Sequence, residues 1–236
     1  MTPERLPQGY YKKTGTVLLR RDASREGQSL LIFMREFGAR WVGAPAASSK
    51  NRFGGGTEPL VWGEFSLYQS PTKLYLQSVE VKEDFLCLRT DAAALLCALR
   101  LYKLTAKETP VDCENDALLR MLWSALVQLK EKAPAHITEF RYTWKLMNLF
   151  GIAPSLDLCS DCGRLFSEGA VFTGEGLLCP SCARGGSSVT QEELAELRLA
   201  VALSHENFIL WARGQCEKNL FINNLKKLSP FFRNMR

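Results

Sequence analysis

Residues 61–82 read VWGEFSLYQSPTKLYLQSVEVK. Val61 to Gln69 and Lys73 to Lys82 each alternate apolar and polar side chains, the two-residue period of a strand with one buried face, and Ser70-Pro71-Thr72 between them has turn chemistry. The stretch therefore reads as two neighbouring strands. Upstream, Gly15 to Arg21 (GTVLLRR) and Gln28 to Glu36 (QSLLIFMRE) are rich in β-forming residues and are joined by the polar link 22–27, so they read as a hairpin. A short strand at Arg40 to Gly43 follows, and then a long loop holding Lys50-Asn51-Arg52 and three consecutive glycines, 54–56. Five closely spaced strands must close or pack to hide their edges. The expectation is an OB-type barrel over residues 1–82.

Beyond Phe85 the period becomes helical, and residues 83–236 are expected to form a helical domain. Asp91 can cap a helix over Ala92 to Thr105, and Asn115 or Asp116 opens another over Ala117 to Lys132 that Pro134 ends. A third, His136 to Phe150, carries Ile137, Phe140, Trp144 and Met147 on one stripe and has Gly151 where a terminating glycine belongs. Thr190 and Glu193 form a capping box before a single helix bearing Leu194, Leu197, Val201 and Phe208, with Gly214 as its stop. No apolar run has the length of a membrane span, since even Ala92 to Leu104 is interrupted by Arg100 and Lys103. Met1 to Tyr11 lacks the apolar stretch of a secretory signal, so a reducing cytoplasm is the expected location.

In that compartment the eight cysteines should bind metal or lie buried as thiols. Cys159-Ser-Asp-Cys162 and Cys179-Pro-Ser-Cys182 are separated by sixteen residues, within the paired-knuckle spacing of zinc sites. Two residues between thiolates make a tight knuckle whose sulfurs reach one ion from the same side. Ala170 to Thr173 and Leu177-Leu178 flank Gly174-Glu-Gly176 as a hairpin that brings the knuckles together, giving a zinc ribbon over 155–185. Four thiolates close the shell, so the ion should be structural. Redox chemistry would ask for one such motif at a helix start. Cys87, Cys97, Cys113 and Cys216 are expected as small buried apolar side chains.

The composition, 46% hydrophobic and 23% charged over 236 residues, is that of a folded globular chain. Net charge is +5, with cations in excess over residues 1–81 and again from Arg213 onward while the middle is acidic. Segregated positive charge suits nucleic acid or an acidic protein surface. Catalytic machinery is hard to find. His136 and His205 lie far apart, no Gly-x-Ser-x-Gly occurs, and the glycine run is followed by Thr57-Glu58-Pro59 instead of a phosphate-binding Lys-Ser/Thr. No enzyme is expected.

The ordered combination of Gly15-Thr-Val-Leu18, Phe37-Gly-Ala-Arg40, Lys50-Asn-Arg52 leading to Pro59, Phe150-Gly-Ile-Ala-Pro154, and the two knuckles resembles the RecO family of bacterial DNA repair and recombination mediators. The resemblance spans about residues 10–185. It implies an α+β multidomain protein: an N-terminal OB-fold DNA-binding barrel, then a helical domain with an inserted four-cysteine ribbon holding structural zinc. It also implies binding of single- and double-stranded DNA and strand annealing. Together with RecR, such a protein loads recombinase onto DNA coated by single-stranded DNA-binding protein. Localisation would be cytoplasmic, at the nucleoid, with no membrane contact. On this reading Lys12, Lys13, Arg20, Arg21, Arg35, Arg40, Lys50 and Arg52 are the candidates for phosphate contact, and Phe53, Trp41 and Trp62 for base stacking, with Phe53 expected to be exposed. Arg120, Arg141 and Lys145 are the candidates for the acidic, apolar tail of single-stranded DNA-binding protein. The alternative is a zinc-stabilised adaptor that touches no nucleic acid. The link 22–27 and the tail after Asn219 depart from the family pattern, so no tail function is carried over.

Overall fold

The first strand, β1 (Gly9–Ala23), pairs along both of its edges. This computed structural model describes residues 6–23, 27–45, 53, 55–174, 176–215 and 220–228. The first part of β1 lies antiparallel to β4 (Trp62–Gln69) and the last part antiparallel to β2 (Gly27–Met34). β3 (Gly38–Pro45) extends from β2, and β5 (Leu74–Glu83) from β4. A parallel bridge between Gly43 and Tyr75 closes the barrel in the order β1-β2-β3-β5-β4. This is the expected OB architecture. Gly15 sits where the two ladders of β1 overlap, opposite both Met34 and Gly63. A Cβ there would overlap the Phe33 carbonyl oxygen, so the double pairing requires glycine.

Strand β1 begins well before the expected Gly15. Tyr10, Tyr11, Lys12 and Lys13 extend it because β4, far along the chain, supplies their partner. Inside the barrel, Val17, Leu30, Ile32, Met34, Phe65 and Leu67 are buried together. Outside, α1 (Ala92–Glu108), capped by the Asp91 carboxylate accepting from Ala94 N–H, follows a 3₁₀ turn at Leu86–Thr90. Tyr102 of α1 meets the barrel through a buried polar chain. Thr16 Oγ1 donates to the Val61 carbonyl at 2.8 Å, leaving its lone pairs for the Tyr102 hydroxyl at 2.7 Å, which in turn accepts from Trp62 Nε1 at 2.9 Å. Trp62 is thus a buried anchor, packed edge-on against Trp123 at 4.9 Å, and is not available for base stacking. The last barrel strand ends at Glu83, and the compact unit that holds the strands runs from Met1 to Leu126 and takes in α1 and the start of α2 (Asp116–Lys130).

The second unit, Val127–Arg236, is built on α3 (Ala135–Leu149). Gly151, at φ +71°, ends that helix as expected: its N–H reaches the Asn148 carbonyl and that of Ile152 the Met147 carbonyl, a Schellman motif. β6 (Ala170–Phe172) and β7 (Leu177–Leu178) form the expected hairpin, and β8 (Ser187–Val189) adds a third strand beside β6. The single helix expected after Thr190 is two, α4 (Gln191–Ala202) and α5 (His205–Arg213). Thr190 and Glu193 do form the capping box of α4, but Ser204 caps α5 by accepting from Asn207 N–H, and the apolar period continues across the break and conceals it. α6 (Leu220–Leu228) packs on α3, with the Phe221 ring 5.3 Å from Phe140. Among the described residues no helix is long and apolar enough to cross a membrane.

The buried polar chain gives a direct test. Tyr102→Phe strands the Trp62 N–H in an apolar site, and equilibrium urea unfolding should register a loss of about 1–3 kcal/mol. Tyr75→Phe, at an exposed site, should cost far less.

Candidate metal centre and nucleic-acid interface

The two Cys-x-x-Cys segments are folded by their own backbones. In the first, Cys159 N–H donates to the Arg164 carbonyl and Gly163 N–H to the Cys159 carbonyl; Gly163 adopts φ +70° to complete the knuckle. In the second, Cys182 N–H and Ala183 N–H both reach the Cys179 carbonyl. A hydrogen bond of 2.9 Å from Ser160 N–H to the Leu177 carbonyl joins them, and at Gly176 a Cβ would stand 2.5 Å from Ser160 Oγ, so glycine permits the approach.

The result is four sulfurs all within 4.8 Å of one another, from Cys159, Cys162, Cys179 and Cys182. Tetrahedral bonds of about 2.3 Å to zinc would set sulfurs roughly 3.8 Å apart, and Cys162 Sγ and Cys179 Sγ are 3.8 Å apart. The donor set suits thiolate ligands in a second respect. Burial pushes the Cys159 thiol up, but N–H groups of Cys162, Cys179 and Asp161 aimed at it bring its pKa down to about 6, that of Cys179 at 3.2 Å. Hydrogen bonds with Cys179, Asp161 and Cys162 and burial push the Cys182 thiol well above the ordinary thiol range. The cluster can hold a metal ion.

Arginines tie this ribbon to its unit. Arg198 on α4 donates through Nε and Nη2 to the Leu156 carbonyl at 3.1 and 2.8 Å, and Nε lies 2.8 Å from Asp157, which fixes the strand entering the first knuckle. Arg141 on α3, 4% exposed, donates to the carbonyls of Ala200 and Leu203 at 2.6 and 2.7 Å and lies over the Phe208 ring at 4.2 Å. It thereby satisfies the C-terminal end of α4 and holds the α4–α5 break. The expectation that Arg141 faces a partner is corrected: its charge is turned inward. Of the other two partner candidates, Arg120 is exposed on α2 and Lys145 is half-buried on α3.

The barrel sorts the phosphate candidates by what already holds them. Arg40 donates to Asp112 at 2.8 Å and to the Phe37 carbonyl, tying β3 to the segment that follows α1. Lys13 is 2.6 Å from Glu36 and lies over the Phe37 ring, and Arg20 is paired with Glu58. These three serve the fold first. Lys12, 61% exposed, pairs with Glu64, which raises its pKa; Arg35, 67% exposed, stands 3.8 Å from Asp116. Exposed Arg21 lies 4.4 Å above the half-buried Trp41 ring. Lys50 and Arg52 fall outside the described residues. Phe53, expected exposed, is half-buried against the barrel core. Of the remaining cysteines Cys97 is buried as expected, but Cys87 and Cys113 are exposed, because each stands in a connection between elements where no core covers it; Cys216 falls outside the described residues.

The family model described as "Recombination protein O C terminal" matches residues 89–210. Proteins named DNA repair protein RecO are similar over most of the chain. The one from Desulfitobacterium hafniense (strain DSM 10664 / DCB-2) is 27% identical over 76% of this chain and 67% of its own. That of Bacillus pumilus is 30% identical over 72% of this chain and 68% of its own. That of Anaeromyxobacter sp. (strain K) is 31% identical over 74% and 71%.

Two arginine and lysine neighbours on α3 behave differently under substitution. Arg141→Ala leaves the buried Ala200 carbonyl and the part-buried Leu203 carbonyl without this donor and should cost about 1–3 kcal/mol, read from the urea midpoint. Burial and the adjacent Arg141 guanidinium press the Lys145 pKa down to about 8 from 10.5. Below pH 8 the folded chain therefore carries a disfavoured charge, and stability rises with pH between about 8 and 10.5 as the folded ammonium loses its proton before the unfolded one. Lys145→Met should raise the unfolding midpoint at pH 7, with the gain shrinking as pH rises through that window.

Proposed function

The chain belongs to the RecO family of DNA repair proteins, and from that premise we propose that its barrel, residues 1–82, binds single- and double-stranded DNA without sequence preference. The observation that carries this reading is the Arg21 guanidinium laid over Trp41 on the outward face of the β1-β2-β3 side, where OB folds receive oligonucleotides. A cation over an indole offers a phosphate partner and a stacking surface at one place. Lys12 and Arg35, beside Glu64 and Asp116 but with most of their side chains exposed, are further candidates for phosphate contact, and Lys50 and Arg52 are kept as candidates from sequence. Lys13, Arg20 and Arg40, engaged with carboxylates, take a lesser part, and Phe53 none.

The finer activities follow from this binding. Neutralising both of two complementary strands favours annealing. Mediation consists in handing DNA from single-stranded DNA-binding protein to recombinase, with RecR as partner, in the bacterial cytoplasm at the nucleoid, and it requires no turnover by this chain. The acidic tail of single-stranded DNA-binding protein is assigned to Arg120 and Lys145 as separate candidates, without Arg141. Zinc is the proposed ion of the four-cysteine cluster, held by Cys159, Cys162, Cys179 and Cys182; when bound it supplies a cross-link and no open coordination position. The ribbon's few large apolar side chains do not by themselves offset an ordering cost of roughly 1–2 kcal/mol per residue.

Anisotropy titration of labelled oligonucleotides across salt concentrations tests the binding. Each phosphate neutralised contributes about −0.7 to the log–log slope for single strands and −0.9 for duplex, so Arg21→Ala should lower both affinity and slope, the latter by close to one contact. A salt-independent affinity would overturn the reading in favour of the adaptor. Separately, Cys162→Ser or chelation should abolish stoichiometric zinc, seen by atomic emission, and lower the thermal midpoint while leaving oligonucleotide affinity largely intact.

A further inference from the structure

The ladders that close the barrel align one row of outward-facing residues across every strand. Tyr10 of β1 is opposite Tyr68 of β4, Tyr68 is opposite Tyr75 of β5, and Tyr75 is opposite Gly43 of β3. Gly43 is opposite Ser29 of β2, which is opposite Arg21 on the far part of β1. The residues flanking the tyrosines in sequence, Tyr11, Leu67, Leu74 and Leu76, pack with the barrel core, which fixes the tyrosines outward.

We propose that Tyr10, Tyr68 and Tyr75 form a stacking platform for the bases of single-stranded DNA, continuing the Arg21–Trp41 surface around the barrel. The inference rests on the DNA-binding reading above and adds to it the form of the nucleic acid and three residues that charge alone does not single out. Tyr10 is 81% exposed and Tyr75 38%, so the burial that usually accounts for cross-strand aromatic pairs is largely missing here. The rings nevertheless have defined neighbours. Tyr10 and Tyr68 stand 4.9 Å apart, and the Tyr68 hydroxyl accepts from Gln8 Nε2 at 3.0 Å. Tyr75 lies on the bare backbone of Gly43, its ring 3.4 Å from where a Cβ would be. Glycine leaves the strand surface bare beneath the ring, on the same strand that bears Trp41.

Charge selects the occupant. Among the described residues, the row and the outward positions immediately beside it carry Arg21, Lys12 and the turn residue Lys73 and no carboxylate; Glu64 and Glu80 come one position further along the strands, where Glu64 pairs with Lys12 and leaves Arg21 and Lys73 as the cations at the row. Aromatic faces with cations at their margins and no acids among them match a flexible polyanion whose bases can splay out. Three inter-strand gaps of about 4.8 Å separate β3 from β1 around this side, roughly 14 Å. Duplex DNA, whose bases are already stacked on one another, gains nothing from such a surface.

The test uses the full chain with a fluorescein-labelled oligothymidylate and a duplex of equal length. Tyr10→Ala and Tyr75→Ala should each weaken oligothymidylate binding about 5- to 150-fold and leave duplex affinity and both salt slopes unchanged. Tyr10→Phe and Tyr75→Phe, which keep the ring, should bind as the unsubstituted protein does. Photo-cross-linking of an iodouridine-bearing strand should map to peptides containing Tyr10, Tyr68 or Tyr75. Alanine variants that bind oligothymidylate normally, while the parent shows its salt slope, overturn the platform and leave the charge-based reading standing. Equal losses on both forms of DNA overturn stacking as the cause. A parent chain that binds neither form overturns both readings at once.

Discussion

Everything in the first unit depends on β1 being paired on two edges at once. A sheet of five strands leaves two rows of unsatisfied backbone groups unless its ends meet; here the end strands β3 and β5 meet at Gly43 and Tyr75, and the long central β1 carries β2 along one part and β4 along the other. The overlap at Gly15 and Thr16 has two physical requirements. Gly15 admits the Phe33 carbonyl where any Cβ would collide, and Thr16, pointing outward, must satisfy a hydroxyl beneath α1. Tyr102 and Trp62 complete that polar chain, so barrel closure and helix docking share one buried junction. Closure also sets the register of every strand, and with it the alignment of the outward tyrosines.

Positive charge in this protein is divided between holding the fold and facing solvent. Arg141 and Arg198 direct their guanidinium groups to main-chain carbonyls, one at the end of α4 and one at the entrance to the ribbon, where a planar donor satisfies acceptors that a lysine would meet less well. Arg40 does similar service between β3 and Asp112. Net charge therefore overstates the cation density available to a polyanion. On the barrel Lys12 and Arg35 stand exposed beside carboxylates, and Arg21 lies over the Trp41 ring.

The ribbon reaches its order by a different route. Its strands are only two or three residues long, too short to stand alone. Backbone donors aimed at Cys159 Sγ and the close approach at Gly176 bring the four thiols into one cluster. Arg198 then fixes the approach of the chain on one side, and the Thr190–Glu193 capping box starts a helix directly after β8 on the other.

What the sequence by itself determined follows from short-range rules. The knuckle spacing specifies two pairs of cysteines suited to one metal site, alternation and turn chemistry specify five strands, and Asp91, Gly151 and the Thr190–Glu193 pair specify helix ends, because each signal acts within a few residues of its own position. Tertiary structure alone decided the rest. β1 starts at Gly9 because β4 supplies its partner, and α4 parts from α5 at a serine cap and an arginine donor that the unbroken apolar period hides. Arg141 and Trp62 lie inside because side chains distant in sequence meet them there. Tyr10, Tyr68 and Tyr75 share a row only through hydrogen-bond ladders between strands far apart in the chain, and register between such strands is a property of the closed barrel, not of any segment within it.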